Sequence, residues 1–224
     1  MGALFFMLLA ICFGPAGDFS IRMYQSKMGY LREHASGLYG TRCYYLSQFL
    51  VDLPINLICV FGFSITAWYM VGFNDKFTQF LLFYALTVMT LYSIIMFSLF
   101  FMNMCKSYVL AVAIFTVTLA ILMMFSGPFI KIDKVPSYWV WMTWVSPFTY
   151  LSRGFIHIIF HGVPVTCSTP PFCLFYDYKG AIDYLGFGLL DYSGSLWLSF
   201  GYITGWTILW YHISYVALRY RRFY

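Results

Sequence analysis

Charge is what this sequence has least of. Only 9% of its 224 residues are Asp, Glu, Lys or Arg, against 62% hydrophobic and 23% aromatic, and the mean hydropathy is +0.76. A water-soluble domain needs a charged shell, and this chain has too few charges to form one, so a soluble globular class is excluded. Its 13 Lys and Arg exceed its 8 Asp and Glu by a net +5. They gather between long uncharged runs and form no basic stripe interleaved with aromatics, so nucleic acid is not an expected partner.

Motifs of nucleotide chemistry are also missing. There is no G-x-x-x-x-G-K-[ST] phosphate loop, no G-x-G-x-x-G fingerprint, and no Gly followed by Lys. The chain by itself is therefore not expected to hydrolyse ATP. Histidine is scarce, with 4 in all. His157 and His161 stand at i, i+4, which puts two imidazoles on one helix face, but a metal site needs three or more ligands. They read as interfacial histidines with no metal, and the same scarcity argues against a membrane-embedded oxidoreductase.

What is abundant is uninterrupted apolar sequence. Uncharged runs extend over Met1 to Gly17, Leu53 to Asn74, Phe77 to Cys105, Ser107 to Ile130 and Tyr192 to Leu218, each near or above the roughly 17 to 25 residues that cross a bilayer. The expected fold is all-α, a polytopic transmembrane bundle of five spans over residues 1–224. The first run has no basic n-region, so a helix truncated at its upstream end fits better than a signal peptide.

Basic residues set the expected orientation. Arg22, Lys27, Arg32, Arg42, Lys106, Arg219, Arg221 and Arg222 share one side by the alternation of five helices, and Lys76, Lys131, Lys134, Arg153 and Lys179 share the other. The first group marks the cytoplasm. Residues 18–45 then form a cytoplasmic segment with apolar Met23, Met28, Leu31 and Leu38 and breaks at Gly37 and Gly40, which suggests amphipathic helix interrupted by turns. Residues 129–191 form the external loop, where Pro136 to Pro147 carries Tyr138, Trp139, Trp141 and Trp144 in a run too short to span, followed by a second short piece, Phe148 to Phe160. These read as re-entrant or interfacial helices. Cys167 and Cys173 lie in the same loop, where a bond between them is geometrically easy and is the expected state, with free thiols or a bond to a second chain as the alternatives.

Three features of the spans invite a functional reading beside a structural one. Ala113, Thr116, Ala120, Met123 and Gly127 recur at steps of 3 and 4, so they share a helix face that either packs closely or lines a ligand wall. Gly201 to Gly205 is a G-x-x-x-G assigned to packing. Asp52, with Pro54 and Asn56, opens the second span either as a functional acid or as a solvated helix start.

Tyr30-Leu-Arg-Glu-His-Ala-Ser-Gly-Leu-Tyr39, then Tyr45-Leu-Ser-Gln-Phe-Leu-Val-Asp-Leu-Pro54, then Phe125-Ser-Gly-Pro-Phe129 resemble, in order and spacing, the membrane domain of ABC transporters of the G subfamily. The resemblance implies that the five spans are helices two to six of a six-helix domain. Its first helix and its ATP-binding domain, with ATP and Mg, would lie outside this chain, on the same polypeptide or a partner. It implies a homo- or heterodimer of membrane domains around a central slit, whose positions here are Leu9, Ala10, Phe13, Thr116, Leu119, Ala120 and Met123. Pro128 and Phe129 match an apolar external gate, and Arg32 and Glu33 are the expected coupling charges to the motor. Ala10 replaces a polar residue of multidrug-exporting members, which favours lipid or sterol cargo. The expected function is ATP-driven export of amphipathic lipids, sterols or xenobiotics by alternating access, from the plasma membrane and in contact with its lipids. A passive channel or scaffold is the alternative.

Overall fold

The computed structural model describes residues 2–72, 76–127, 130–160 and 196–220. Every element among them is helical: α1 (Gly2–Ala35), α2 (Thr41–Val71), α3 (Phe77–Met104), α4 (Tyr108–Met124), a 3-10 turn (Ile132–Lys134), α5 (Val140–Val145), α6 (Pro147–Phe160) and α7 (Leu196–Tyr220). By length and hydropathy α2 and α3 qualify as membrane spans. α4 is as apolar but only 17 residues long. The described part of the first expected span lies in the N-terminal half of α1, and the described part of the fifth lies in α7. The aromatic region from Pro136 to Phe160, expected to be external and re-entrant, holds the two short helices α5 and α6.

α3 is the axis of the bundle, in contact with α1, α2, α4, α6 and α7. Its most apolar window is 67% buried, against 22% for α2. Polar groups on the buried part of such a helix need hydrogen-bond partners. The buried hydroxyls of Thr87, Thr90, Ser93 and Ser98 satisfy themselves by donating to the carbonyls of Phe83 (2.8 Å), Leu86 (2.8 Å), Thr90 (2.7 Å) and Ile95 (2.8 Å) on the same helix.

α1 is one helix that continues well past Gly17, where the first uncharged run ends. Its 34 residues extend roughly 50 Å at 1.5 Å per residue, well beyond a hydrocarbon core of about 30 Å. The continuation through Asp18 is explained by packing: Phe19, Met23 and Tyr30 lie on one face and are buried against Leu91, Ile95, Met96 and Leu99 of α3. Tertiary burial of a stripe stabilises a helix that local propensity would interrupt.

α2 begins at Thr41, twelve residues before its uncharged run, so Asp52 is no helix start. Its buried positions include Asp52, Asn56, Val60, Ser64 and Trp68, one every fourth residue, while Val51, Ile55, Ile58, Phe61 and Met70 point outward. The polar side faces in and the apolar side faces out, the arrangement expected where hydrocarbon surrounds the bundle. Asp52 is paired with Arg22 of α1 at 3.6 Å. Pro54 removes one amide from the ladder, and on either side of it Tyr92 and Tyr84 of α3 donate to the carbonyls of Leu53 (3.4 Å) and Leu57 (3.2 Å).

α6 crosses the bundle at Gly154. A methyl group built there would lie 2.5 Å from Leu86 Cδ2 and 3.5 Å from Ser199 Cβ, and Leu86 is fully buried, so any larger residue obliges the packed Leu86 side chain to shift. Gly154→Val is expected to destabilise the chain by about 1–3 kcal/mol through overpacking. Thermal unfolding of the purified variant checks this; an unchanged midpoint would mean that α3 and α7 yield at this crossing.

Candidate functional site

The Arg-Glu-His-Ala-Ser-Gly-Leu-Tyr stretch folds into the turn joining α1 to α2. α1 ends as its last carbonyls turn back on the chain: Ser36 N–H donates to Arg32 O (3.2 Å), Gly37 N–H to His34 O (3.1 Å) and Leu38 N–H to Glu33 O (3.2 Å). Gly37 adopts φ +77°, a left-handed conformation that side chains with a Cβ disfavour. Arg32 and His34 in the last turn complement the negative end of the helix dipole.

Side chains then lock this hairpin. Tyr39 O–H donates to the Glu33 carboxylate, and this bond is the main cause that lifts the phenol to about 12. His34 Nδ1 donates to Tyr39 O at 3.0 Å. Tyr30 stacks on His34 (5.3 Å) and on Tyr44 (4.2 Å), and its hydroxyl meets Thr41 Oγ1 at 2.8 Å. Arg32 and Glu33 are nonetheless exposed at the tip. Two charges are thus presented outward on a pre-ordered turn, which suits docking to another domain.

The residues expected to line a slit divide into two groups. Leu119 and Met123 are buried in the same cluster as Met7, with Leu9 packed against it, so α1 and α4 meet within one chain. Ala120 and Ala10 are exposed, and Thr116 is half-buried, with its hydroxyl donated to Val112 O at 2.8 Å. Ala10 borders an open apolar cavity of about 480 Å³ between α1 and α2, with Phe6, Met7, Phe63 and Ala67. Ala113 and Ala120 share the outer surface of α4 with exposed Val109, Val117, Ile121 and Met124. The Phe13 side chain lies outside the described residues.

The Phe-Ser-Gly stretch ends α4. Ser126 O–H returns to Met123 O (2.6 Å), and Gly127 takes φ +97°. From the start of α6, Thr149 O–H donates to Phe125 O (3.3 Å), and from just before it Ser146 O–H donates to Leu122 O (2.9 Å). Carbonyls that a helix end leaves without partners are capped by the next element, which fixes the turn in place. Pro128 and Phe129, which follow it, lie outside the described residues, as do Cys167, Cys173 and His161.

Sequence reasoning missed the buried polar contacts at the opposite end of α3. Asn103 Nδ2 donates to Tyr45 Oη (2.5 Å) and to Ser214 Oγ (2.9 Å), and the two hydroxyls are 2.8 Å apart. Lys27 Nζ donates to Met102 O at 2.7 Å. No short motif announces these partners, because they are drawn from α1, α2, α3 and α7. Among the described residues no group of three or more His, Cys, Asp or Glu is placed to hold a metal.

Residues 1–160 match the family described as ABC-2 type transporter. The chain is 30% identical over 126 residues to ABC transporter G family member 5 of Arabidopsis thaliana, covering 56% of this chain and 19% of that protein. To ABC transporter G family member 6 of Dictyostelium discoideum it is 24% identical over 247 residues, covering 99% of this chain and 16% of that protein. A third relative, ABC transporter G family member 2 of Arabidopsis thaliana, is 27% identical over 143 residues, 64% of this chain and 19% of that protein. The chain thus spans less than a fifth of the length of these relatives. With motifs, helical bundle and relatives in agreement, the chain belongs to the ABC-2 type transporter family, as a membrane domain of the ABC transporter G kind.

Proposed function

We propose that this chain forms the transport path of an ATP-driven exporter of amphipathic lipids, sterols or xenobiotics, working as a dimer by alternating access in the plasma membrane. The observation that carries the reading is the locked α1–α2 hairpin with Arg32 and Glu33 exposed at its tip. A rigid projection bearing charge is what a membrane domain needs to receive motion from a soluble motor. The ATP-binding domain would supply ATP and Mg, and the hairpin end of the bundle would lie on the cytoplasmic side. The outer surface of α4 around Ala120 would meet its counterpart from a second membrane domain, with Ala10 and Phe13 lining the slit, Leu9, Leu119 and Met123 backing it, and Pro128 and Phe129 closing it outside. α5 and α6 would form the re-entrant region. None of the residues named for the slit and its external closure is charged, which supports an apolar or amphipathic cargo over an ionic one.

The test is the full-length protein, with its ATP-binding domain, reconstituted in vesicles and assayed with a fluorescent sterol and a fluorescent phospholipid. ATP-dependent movement of either is expected. Movement independent of ATP would favour a passive channel, and no movement a scaffold.

The external loop yields a further expectation. Cys167 and Cys173 would form a disulfide, because five intervening residues allow closure and an extracellular compartment is oxidising. Mass spectrometry of non-reduced peptides should find the two cysteines linked; recovering both as free thiols would overturn the assignment.

A further inference from the structure

The last turn of α3 is a junction of four helices. A helix leaves its final carbonyls without intrahelical partners. In α3 the Phe101 carbonyl is taken by Cys105 N–H at 3.0 Å, while those of Met102 and Asn103 point at α1. Lys27 answers both, its ammonium lying 2.7 Å from Met102 O and 3.4 Å from Asn103 O. One turn earlier on α1, Tyr24 O–H donates to Lys106 O at 3.2 Å. A cation at a helix C-terminus is also favoured by the dipole. The same Asn103 that offers its carbonyl to Lys27 extends its side chain to Tyr45 of α2 and Ser214 of α7. All three of these polar side chains are buried.

Lys27 continues the buried face of α1 formed by Phe19, Met23 and Tyr30. It stands six residues before Glu33, roughly 9 Å along the helix. We propose that Lys27 is a positioning residue that carries movement of the Arg32–Glu33 hairpin into the end of α3 and, through Asn103, into α2 and α7. Apolar packing alone lets helices slide past one another, whereas a charge-assisted bond onto two carbonyls resists sliding along the axis. α1 and α3 therefore move as one body, and a displacement at the hairpin is not lost as a bend in α1. This role rests on the transporter reading above.

The experiment uses the full-length protein in vesicles and reads molecules transported per ATP hydrolysed, beside folded yield and basal hydrolysis. Lys27→Met keeps the length of the stem and removes the charge. It is expected to keep yield and basal hydrolysis within about twofold and to lower transport per ATP by about tenfold, within the usual span of coupling between sites. Lys27→Arg, which restores a cationic donor, is expected to recover most of the ratio. A Lys27→Met protein with the wild-type ratio, or one whose transport falls only in step with its yield, would overturn the proposal. If the Met variant does not fold, Lys27→Gln decides: a reduced ratio supports the role and a wild-type ratio rejects it. A wild type without ATP-driven transport overturns the transporter reading and this role together, whereas failure of the role alone is visible only in the variants.

Discussion

Arg32→Ala in the full-length protein is expected to leave ATP hydrolysis and folded yield in place while transport falls by about tenfold, the scale of a lost coupling interaction between domains. Arg32 is exposed at the tip of the α1–α2 hairpin, so its removal opens no cavity. Glu33→Ala is expected to lower transport at least as much, but with a second cause in play, because the carboxylate also accepts the Tyr39 hydroxyl. Tyr39→Phe separates the two causes: it removes the clasp and keeps the Glu33 charge. If Glu33 acts as a charge toward the motor, Tyr39→Phe transports within about twofold of wild type; if the clasp is what matters, Tyr39→Phe falls together with Glu33→Ala. The clasp is not a physiological pH switch. The neighbouring carboxylate disfavours the phenolate and raises Tyr39 from its ordinary value near 10 to about 12. A raised folded value means that its contribution is complete below about pH 10 and is lost only as pH climbs through about 12. Equal transport losses and yield losses in Arg32→Ala would mark the tip as structural.

Ala120→Phe tests the slit. Ala120 is exposed on α4, beside buried Leu119 at 1% and Met123 at 2% exposure, so a larger side chain at position 120 does not enter the chain's own core. Folding of the single chain is expected to survive. If the outer surface of α4 borders a slit at a two-fold axis, the phenyl ring occupies the space a flat apolar cargo would use. Cargo-stimulated ATP hydrolysis and transport are then expected to fall by about tenfold or more, with dimer yield unchanged. If α4 instead packs tightly against a second chain, overpacking by about 1–3 kcal/mol lowers dimer yield in step with activity, and the cavity assignment fails. Leu119→Phe is the counterpart. That residue is enclosed within the monomer, and the variant is expected to lose folded yield whatever the dimer does.

The broad class was legible from composition, because 62% hydrophobic residues with 9% charged have no stable arrangement in water. The positions of α3 and the start of α4 followed closely from runs without charge, since hydrocarbon tolerates few charges. The hairpin at Gly37 was also legible, as glycine is the residue that takes a left-handed turn without strain, and the three motifs that carried the family resemblance lie in or between these elements. Their local character made them readable: a turn, a helix start and a helix end each need particular residues within a few positions.

Other features depended on partners distant in the chain. That α1 runs unbroken across Asp18, and that α2 starts well before its uncharged run, was decided by burial of Phe19, Met23 and Tyr30 and of Tyr44 and Tyr45 against other helices, which outweighs local polarity. The inward stripe of α2 escaped an apolar search because Asp52, Asn56 and Ser64 occupy it. Inside a membrane the solvent is apolar, so hydrophobicity does not say which side faces the protein. Gly154 became meaningful only with Leu86 placed against it. Lys27 counted in the sequence only as one of the basic residues that set orientation, and Asn103 carried no signal, until the end of α3 brought Met102, Tyr45 and Ser214 to them. Hydrogen bonds between helices are set by the packing of whole faces, and no spacing within one segment encodes which distant carbonyl or hydroxyl will arrive.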